Sequence, residues 1–229
     1  MPDNLKVFFP FYVPFMTYEC EFFNEIKDDL IKVIMKEHNK APFTLQGDFP
    51  TGARLKQNIT ESAGSFLVSP GNPKEECIKR LVQWIIPLLS KAYLFLEIKH
   101  TKIAITDSWF HVAKKGGFHG LHSHSNTPLA GLFYVQDGNS NIGNTWVNPF
   151  LSPIDNKHVQ KFSPQCHTNE FVSGQLVLFP GWILHQAVPH NGDSDRIVIA
   201  FNSNVQEQAD FELSLEEVNK VFAERKKNK

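Results

Sequence analysis

The chain has 229 residues, of which 41% are hydrophobic and 21% charged, and its formal net charge is −1. That is enough apolar material for one domain with a sizeable core, and it excludes wholesale disorder and a collagen-like fibre. The near-neutral charge argues against nucleic acid or an anionic membrane as the main partner. Phe (20) and His (10) are abundant, whereas arginine is confined to Arg54, Arg80, Arg196 and Arg225. Cys20, Cys77 and Cys166 are odd in number and widely spaced, which fits a reducing compartment rather than a disulfide framework. No basic segment leads into an apolar signal-like run. The longest apolar stretch, Ile85 to Leu96, is interrupted by Pro87, Ser90 and Lys91. A soluble, cytoplasmic protein is expected.

Val7 to Phe15 is rich in Phe, Pro and Val and reads as extended. Thr17 is the expected N-cap of a first helix, in which Phe22/Phe23, Ile26, Leu30, Val33 and Ile34 recur at helical spacing to about His38. Residues 40–72 read as loop with short strands. Asn72-Pro73 has the chemistry of a helix start, and Ile78, Leu81, Val82, Ile85 and Leu89 would face inward, with Pro87 kinking the helix or ending its first half. Beyond Lys102 the texture becomes β. Ile103–Val112, Leu129–Gln136, Asn144–Asn148, Gln175–Phe179, Ile183–Val188 and Ile197–Asn202 are short, rich in β-branched and aromatic residues, and separated by turn residues. They predict a sandwich or barrel. A last helix should follow Ser214, with Glu217 completing a capping box and Leu215, Val218, Val221 and Phe222 forming its apolar stripe. The expectation is a single α+β domain: a mainly helical flank (1–102), a β core (103–203) and a C-terminal helix (204–229).

His122 and His124 lie two residues apart, so on a strand both imidazoles project from one face and can chelate one metal ion. His185 is the best third ligand, because its apolar surroundings make an unpaired imidazole costly. Asp137 or water is the alternative if His124 does not ligate. His111, His119, His158, His167 and His190 read as ordinary surface or loop residues. Arg196 opens the apolar run Arg196-Ile197-Val198-Ile199-Ala200-Phe201, where a guanidinium has little use unless it meets an anion. The plainer reading is a turn pair with Asp193 or Asp195.

The order is H-x-H, a distal His about sixty residues on, then Arg eleven residues later. It resembles the 2-oxoglutarate/Fe(II)-dependent oxygenases, and within them the prolyl-hydroxylase-like group. The likeness is nearest to a bacterial and phage subgroup reading H-x-H-x-x-S-x-x-S-G-x-x-Y, then G-x-L-x-x-F-P-x-x-x-x-H, then R-x-x-x-x-F-N. Here His122-Ser123-His124 is followed by Ala130-Gly131-Leu132-Phe133-Tyr134. Gly174-Gln175-Leu176-Val177-Leu178-Phe179-Pro180 leads to His185, and Arg196 leads to Phe201-Asn202. The likeness covers roughly residues 105–203. It implies a double-stranded β-helix, or jelly-roll, with His122, His124 and His185 on Fe(II). Arg196 would hold the distal carboxylate of 2-oxoglutarate, with Tyr134 as a second contact and Thr145 lining the pocket. It further implies consumption of O2, release of succinate and CO2, and hydroxylation of a C–H bond in a small-molecule or peptide substrate. Trp146, Trp182 and nearby Phe side chains would form the pocket walls.

The usual triad of this family holds a carboxylate where His124 stands, and three neutral imidazoles leave the metal centre more positive. A cupin shares the β-helix, but its first motif needs a Glu where Pro128 and Leu129 stand, and it has no need of Arg196. A non-catalytic jelly-roll module is the other alternative. Asn148–Glu170 is a candidate substrate loop, as is the Gly47–Pro73 region. Exposed core-strand edges leave room for a homodimer.

Overall fold

The computed structural model describes residues 13–40, 43–48, 54–62, 65–68, 75–124, 126–150 and 164–207. In chain order the elements are β1 (Met16–Glu19), α1 (Phe23–Lys40), β2 (Phe43–Asp48), β3 (Arg54–Glu61), α2 (Glu76–Phe95), β4 (His100–Ala113), β5 (His119–His122), β6 (Leu129–Gln136), β7 (Ile142–Val147), β8 (Cys166–Glu170), β9 (Gln175–Pro180), β10 (His185–Ala187) and β11 (Arg196–Glu207). The strands form a seven-stranded sheet ordered β1-β9-β6-β11-β4-β3-β2 and a four-stranded sheet ordered β5-β10-β7-β8. The pairings are antiparallel, and the two sheets make the expected double-stranded β-helix.

Alternation along the strands separates two cores. On β6, Leu129, Phe133 and Val135 face the helices, while Ala130, Leu132 and Tyr134 face the smaller sheet. β9 and β11 divide in the same way: Leu176, Leu178, Ile197, Ile199 and Phe201 face outward, and Val177, Phe179, Val198 and Ala200 inward. Both faces are therefore buried, and these strands read as continuous apolar runs. α1 lays Phe23, Ile26, Leu30 and Ile34 on the outer face, beside Ile78, Leu81, Ile85 and Leu89 of α2. Arg80 joins the helices through Glu25 at 2.8 Å, with its guanidinium 4.6 Å from the Phe22 ring centre.

Several expectations need correction. Thr17 is not an N-cap: it lies in β1, opposite Val177 of β9, and α1 starts at Phe23. The edge of the sheet recruits Met16–Glu19, a long-range pairing invisible in local sequence. Pro87 does not end α2, which continues to Phe95. Its ring is exposed, while Ile85 and Leu89 on either side are fully buried, so packing carries the helix through the lost hydrogen bond. α2 begins at Glu76, with Glu75 as an N-cap that makes no side-chain bond. Asn72-Pro73, the helix expected after Ser214, and the middle of the Asn148–Glu170 loop lie outside the described residues. Among the described residues, no helix is long and apolar enough to cross a membrane.

Candidate active site

His122 ends β5 and His185 opens β10, and the two face each other across the ladder. The ladder continues past β5 through the His124 N–H, which donates to the Gly181 carbonyl at 2.7 Å, and so the ring of His124 joins the other two. One ring nitrogen from each of His122, His124 and His185 lies within 4.8 Å of the others.

The hydrogen bonds determine which nitrogens these are. His122 Nδ1 donates to the Gly120 carbonyl at 2.7 Å, and His185 Nδ1 to the Ile183 carbonyl at 3.0 Å. His124 Nδ1 donates to the side-chain oxygen of Asn202 on β11. A carbonyl can only accept, so each Nδ1 carries the proton and each Nε2 keeps its lone pair. Burial lowers the pKa of His122 to about 4, against the Gly120 bond. Burial, aided by the neighbouring His122, takes His185 down to about 3. Burial also lowers that of His124, opposed by Asn202. Three neutral imidazoles with converging Nε2 atoms suit a divalent transition metal. Asp137, the alternative ligand, caps the Asn139 N–H at 3.1 Å in the β6–β7 turn.

Arg196 starts β11 opposite Ala113 of β4 and is only 4% exposed. Its Nη2 donates to the Val188 carbonyl at 3.2 Å, and no carboxylate lies within ion-pair distance among the described residues. Neither turn acid pairs with it: the Asp193 carboxylate accepts from the Asn139 side chain, and Asp195 is held through its backbone carbonyl, which accepts from Gln136. Burial lowers the pKa of Arg196, opposed by nearby Tyr134. A buried cation without an anion is costly, so the cavity that Arg196 lines together with His122, His124 and His185 is prepared for a negative ligand.

Tyr134 and Thr145 lie beside this cavity rather than on its wall. The Tyr134 hydroxyl is 3.1 Å from Asn169 Oδ1 and 3.3 Å from Asn144 Oδ1. Burial raises its pKa to about 12, so it remains a donor. Thr145 Oγ1 bonds Thr168 Oγ1 at 2.7 Å, and strand alternation gives the cavity wall to its neighbour Asn144 instead. Trp146 packs against Phe179 in the inner core, and Trp182 is 54% exposed outside the cavity.

Three histidines expected at the surface are buried or line the cavity. His111 lies on the inward face of β4, with Nε2 2.7 Å from Glu61. The β5–β10 pairing has a bulge between Ala187, which faces His119, and His185, which faces His122. The extra residue on β5 lets both His119 and His122 line the cavity, their ring centres 4.0 Å apart. Burial, with the neighbouring histidines, lowers the His119 pKa to about 2. His190 is 2% exposed and bonds the Ser194 carbonyl at 2.7 Å. His167 is exposed, and His158 lies outside the described residues.

Comparison with known proteins bears out the reading of the motif. Residues 107–202 match a family model described as "Putative 2OG-Fe(II) oxygenase". The matched core is similar to that of a 2-oxoglutarate/Fe(II) oxygenase. Such an enzyme uses Fe(II), 2-oxoglutarate and O2. Among solved structures, a Pseudomonas putida prolyl-4-hydroxylase matches with a TM-score of 0.53 at 11% identity, over 82% of this chain and 91% of that one. A Trichoplax adhaerens prolyl hydroxylase, in complex with a peptide fragment of hypoxia inducible factor, matches with 0.55 at 13%, over 82% and 83%. HygX from Streptomyces hygroscopicus, with nickel, 2-oxoglutarate and hygromycin B bound, matches with 0.55 at 11%, over 84% and 83%. At these identities the likeness is one of fold. No curated protein matches the chain.

Proposed function

We propose that the oxygenase holds Fe(II) through Nε2 of His122, His124 and His185, holds the distal carboxylate of 2-oxoglutarate on Arg196, and hydroxylates a C–H bond of a small-molecule or peptide substrate. The observation that carries this reading is the buried, carboxylate-free Arg196 in the same cavity as three converging imidazoles. A cupin has no need of such an arginine, and a scaffold has no need of either group.

Bound Fe(II) supplies the centre at which 2-oxoglutarate and O2 react. The chain's own residues do the rest. Arg196 fixes one end of the co-substrate by charge-assisted hydrogen bonds. Leu132, Phe171 and Val198 give the cavity apolar walls, which exclude water and strengthen that electrostatic hold. Gly120, Ile183 and Asn202 keep the three imidazoles in the tautomer that offers Nε2. His124 also borders a second, open groove lined by Ser123, Asn126, Thr127, Pro128 and Trp182.

The test is calorimetric titration of 2-oxoglutarate into the protein with Mn(II), beside His185→Ala and Arg196→Ala. Binding that needs metal and disappears in both variants supports the proposal. Metal binding with no response to 2-oxoglutarate overturns it in favour of a cupin-like protein. Binding of neither leaves a β-helix used as a scaffold.

A further inference from the structure

Beside Arg196 stands a small amide network. Asn144 of β7 is 8% exposed and lines the cavity. It sits opposite Ala187 of β10, and the next residue, Val188, gives its carbonyl to Arg196. Asn144 and Arg196 thus line the same cavity, each anchored next to the Ala187–Val188 segment. The Asn144 backbone N–H donates to Asn169 Oδ1 at 2.9 Å and lies 3.3 Å from the Tyr134 hydroxyl. Its side-chain oxygen faces that same hydroxyl at 3.3 Å. The Nδ2 amide is left with no partner among the described residues.

Asn169 on β8 holds this arrangement in place. Its Nδ2 donates to the Glu170 carbonyl at 2.8 Å, which fixes which end of the amide is oxygen. That oxygen accepts from both the Asn144 backbone and Tyr134. Gly143 permits the close approach: a Cβ there would lie 2.4 Å from Asn169 Oδ1 and 2.8 Å from the Asn169 carbonyl oxygen. A nine-tenths-buried amide with a free donor and a guanidinium without a carboxylate, lining one cavity, can offer two donors to one anion.

We propose that Asn144 Nδ2 is the second donor to the distal carboxylate held by Arg196, and that Asn169 is a positioning residue that aims it. The proposal rests on the functional reading above. It makes the neutral amide a determinant of co-substrate choice: a 2-oxo acid with a distal carboxylate engages both donors, and one without it engages neither.

The test measures binding of 2-oxoglutarate and of 2-oxobutyrate, which lacks the distal carboxylate, to the Mn(II)-loaded protein. Asn144→Leu keeps the bulk and removes the donor. It should weaken 2-oxoglutarate about tenfold or more, the scale of a hydrogen bond to a charged group, while 2-oxobutyrate changes little. Asn144→Asp should weaken 2-oxoglutarate further by placing like charges together. Asn169→Ala should follow Asn144→Leu, and Asn169→Asp, which keeps an acceptor oxygen, should recover most of the binding. Equal losses for both 2-oxo acids would make Asn144 a structural residue and overturn the proposal. A wild-type protein that binds 2-oxoglutarate no better than the leucine variant would overturn it as well, leaving the oxygenase reading intact. A wild-type protein that ignores 2-oxoglutarate overturns the functional reading and this inference with it.

Discussion

His185 lies directly opposite His122 across the β10–β5 ladder, with ring centres 4.3 Å apart, and each donates its Nδ1 proton to the carbonyl two residues before it. The two strands thus orient their imidazoles by the same local device, each using its own backbone. The third ring, His124, is oriented from the opposite sheet through Asn202. The set therefore holds its geometry only while the two sheets stay packed together.

Metal should accordingly stabilise the fold. A divalent ion at a hundred times its dissociation constant adds about 2.7 kcal/mol to a protein that binds it only when folded. Thermal melts with Mn(II) or Ni(II) should show a metal-dependent rise in Tm that His122→Ala and His185→Ala abolish. A rise that persists in both variants would place the metal elsewhere.

Arg196 makes a prediction of opposite sign. Its charge is buried without a carboxylate, so the ligand-free protein carries an uncompensated desolvation cost. Arg196→Met keeps the length of the side chain and removes the charge. Urea unfolding without ligand should find it more stable by about 1 kcal/mol, while 2-oxoglutarate binding is lost. A destabilised variant would mean that the Val188 bond and packing outweigh the buried charge.

What is legible in the sequence and what is not divides along physical lines. Leu129–Gln136 can be read to the residue because two buried faces leave an uninterrupted apolar run bounded by turn residues. H-x-H, the distal His and Arg196 stand out because metal and anion chemistry demand those residue types at that spacing. Met16–Glu19 misleads because its strand character comes from Leu176–Leu178, far along the chain. His119 escapes notice because a bulge reverses the face on which it would otherwise sit. His111 escapes it because its partner, Glu61, is fifty residues away and only pairing of β3 with β4 brings them together. Asn144 and Asn169 give no signal, since the first reads only as the start of a strand and the second as part of a loop, and neither demands a site.

The three thiols should differ sharply in reactivity. Cys20 and Cys77 are 7% exposed, and burial pushes the Cys20 thiol up to about 11 and raises that of Cys77, whereas Cys166 is exposed on β8. A raised pKa keeps a thiol protonated and poorly nucleophilic at pH 8. Iodoacetamide at that pH should label about one thiol per native chain, at Cys166, and all three in denaturant. Rapid native labelling of Cys20 would mean that the start of α1 opens readily.

Gly131, in the Ala130–Tyr134 run quoted for the family motif, has a packing role that an alanine substitution would expose. A Cβ there would lie 2.1 Å from Cζ of Phe201, whose ring is fully buried opposite it on β11. The ring fills the space that any side chain at 131 would occupy, so the glycine and the phenylalanine are one packing unit. Gly131→Ala must push the ring off its rotamer and should cost about 1–3 kcal/mol or more. Phe201→Leu alone loses buried aromatic area, yet in the double variant the smaller side chain makes room for the new methyl. The double variant should therefore be more stable than the sum of the two single effects by about 1 kcal/mol or more, the scale of coupling between residues in contact. Urea unfolding of the four proteins in the cycle measures this term directly. Strict additivity would mean that the sheet relaxes around the added methyl and that the glycine is not required for packing.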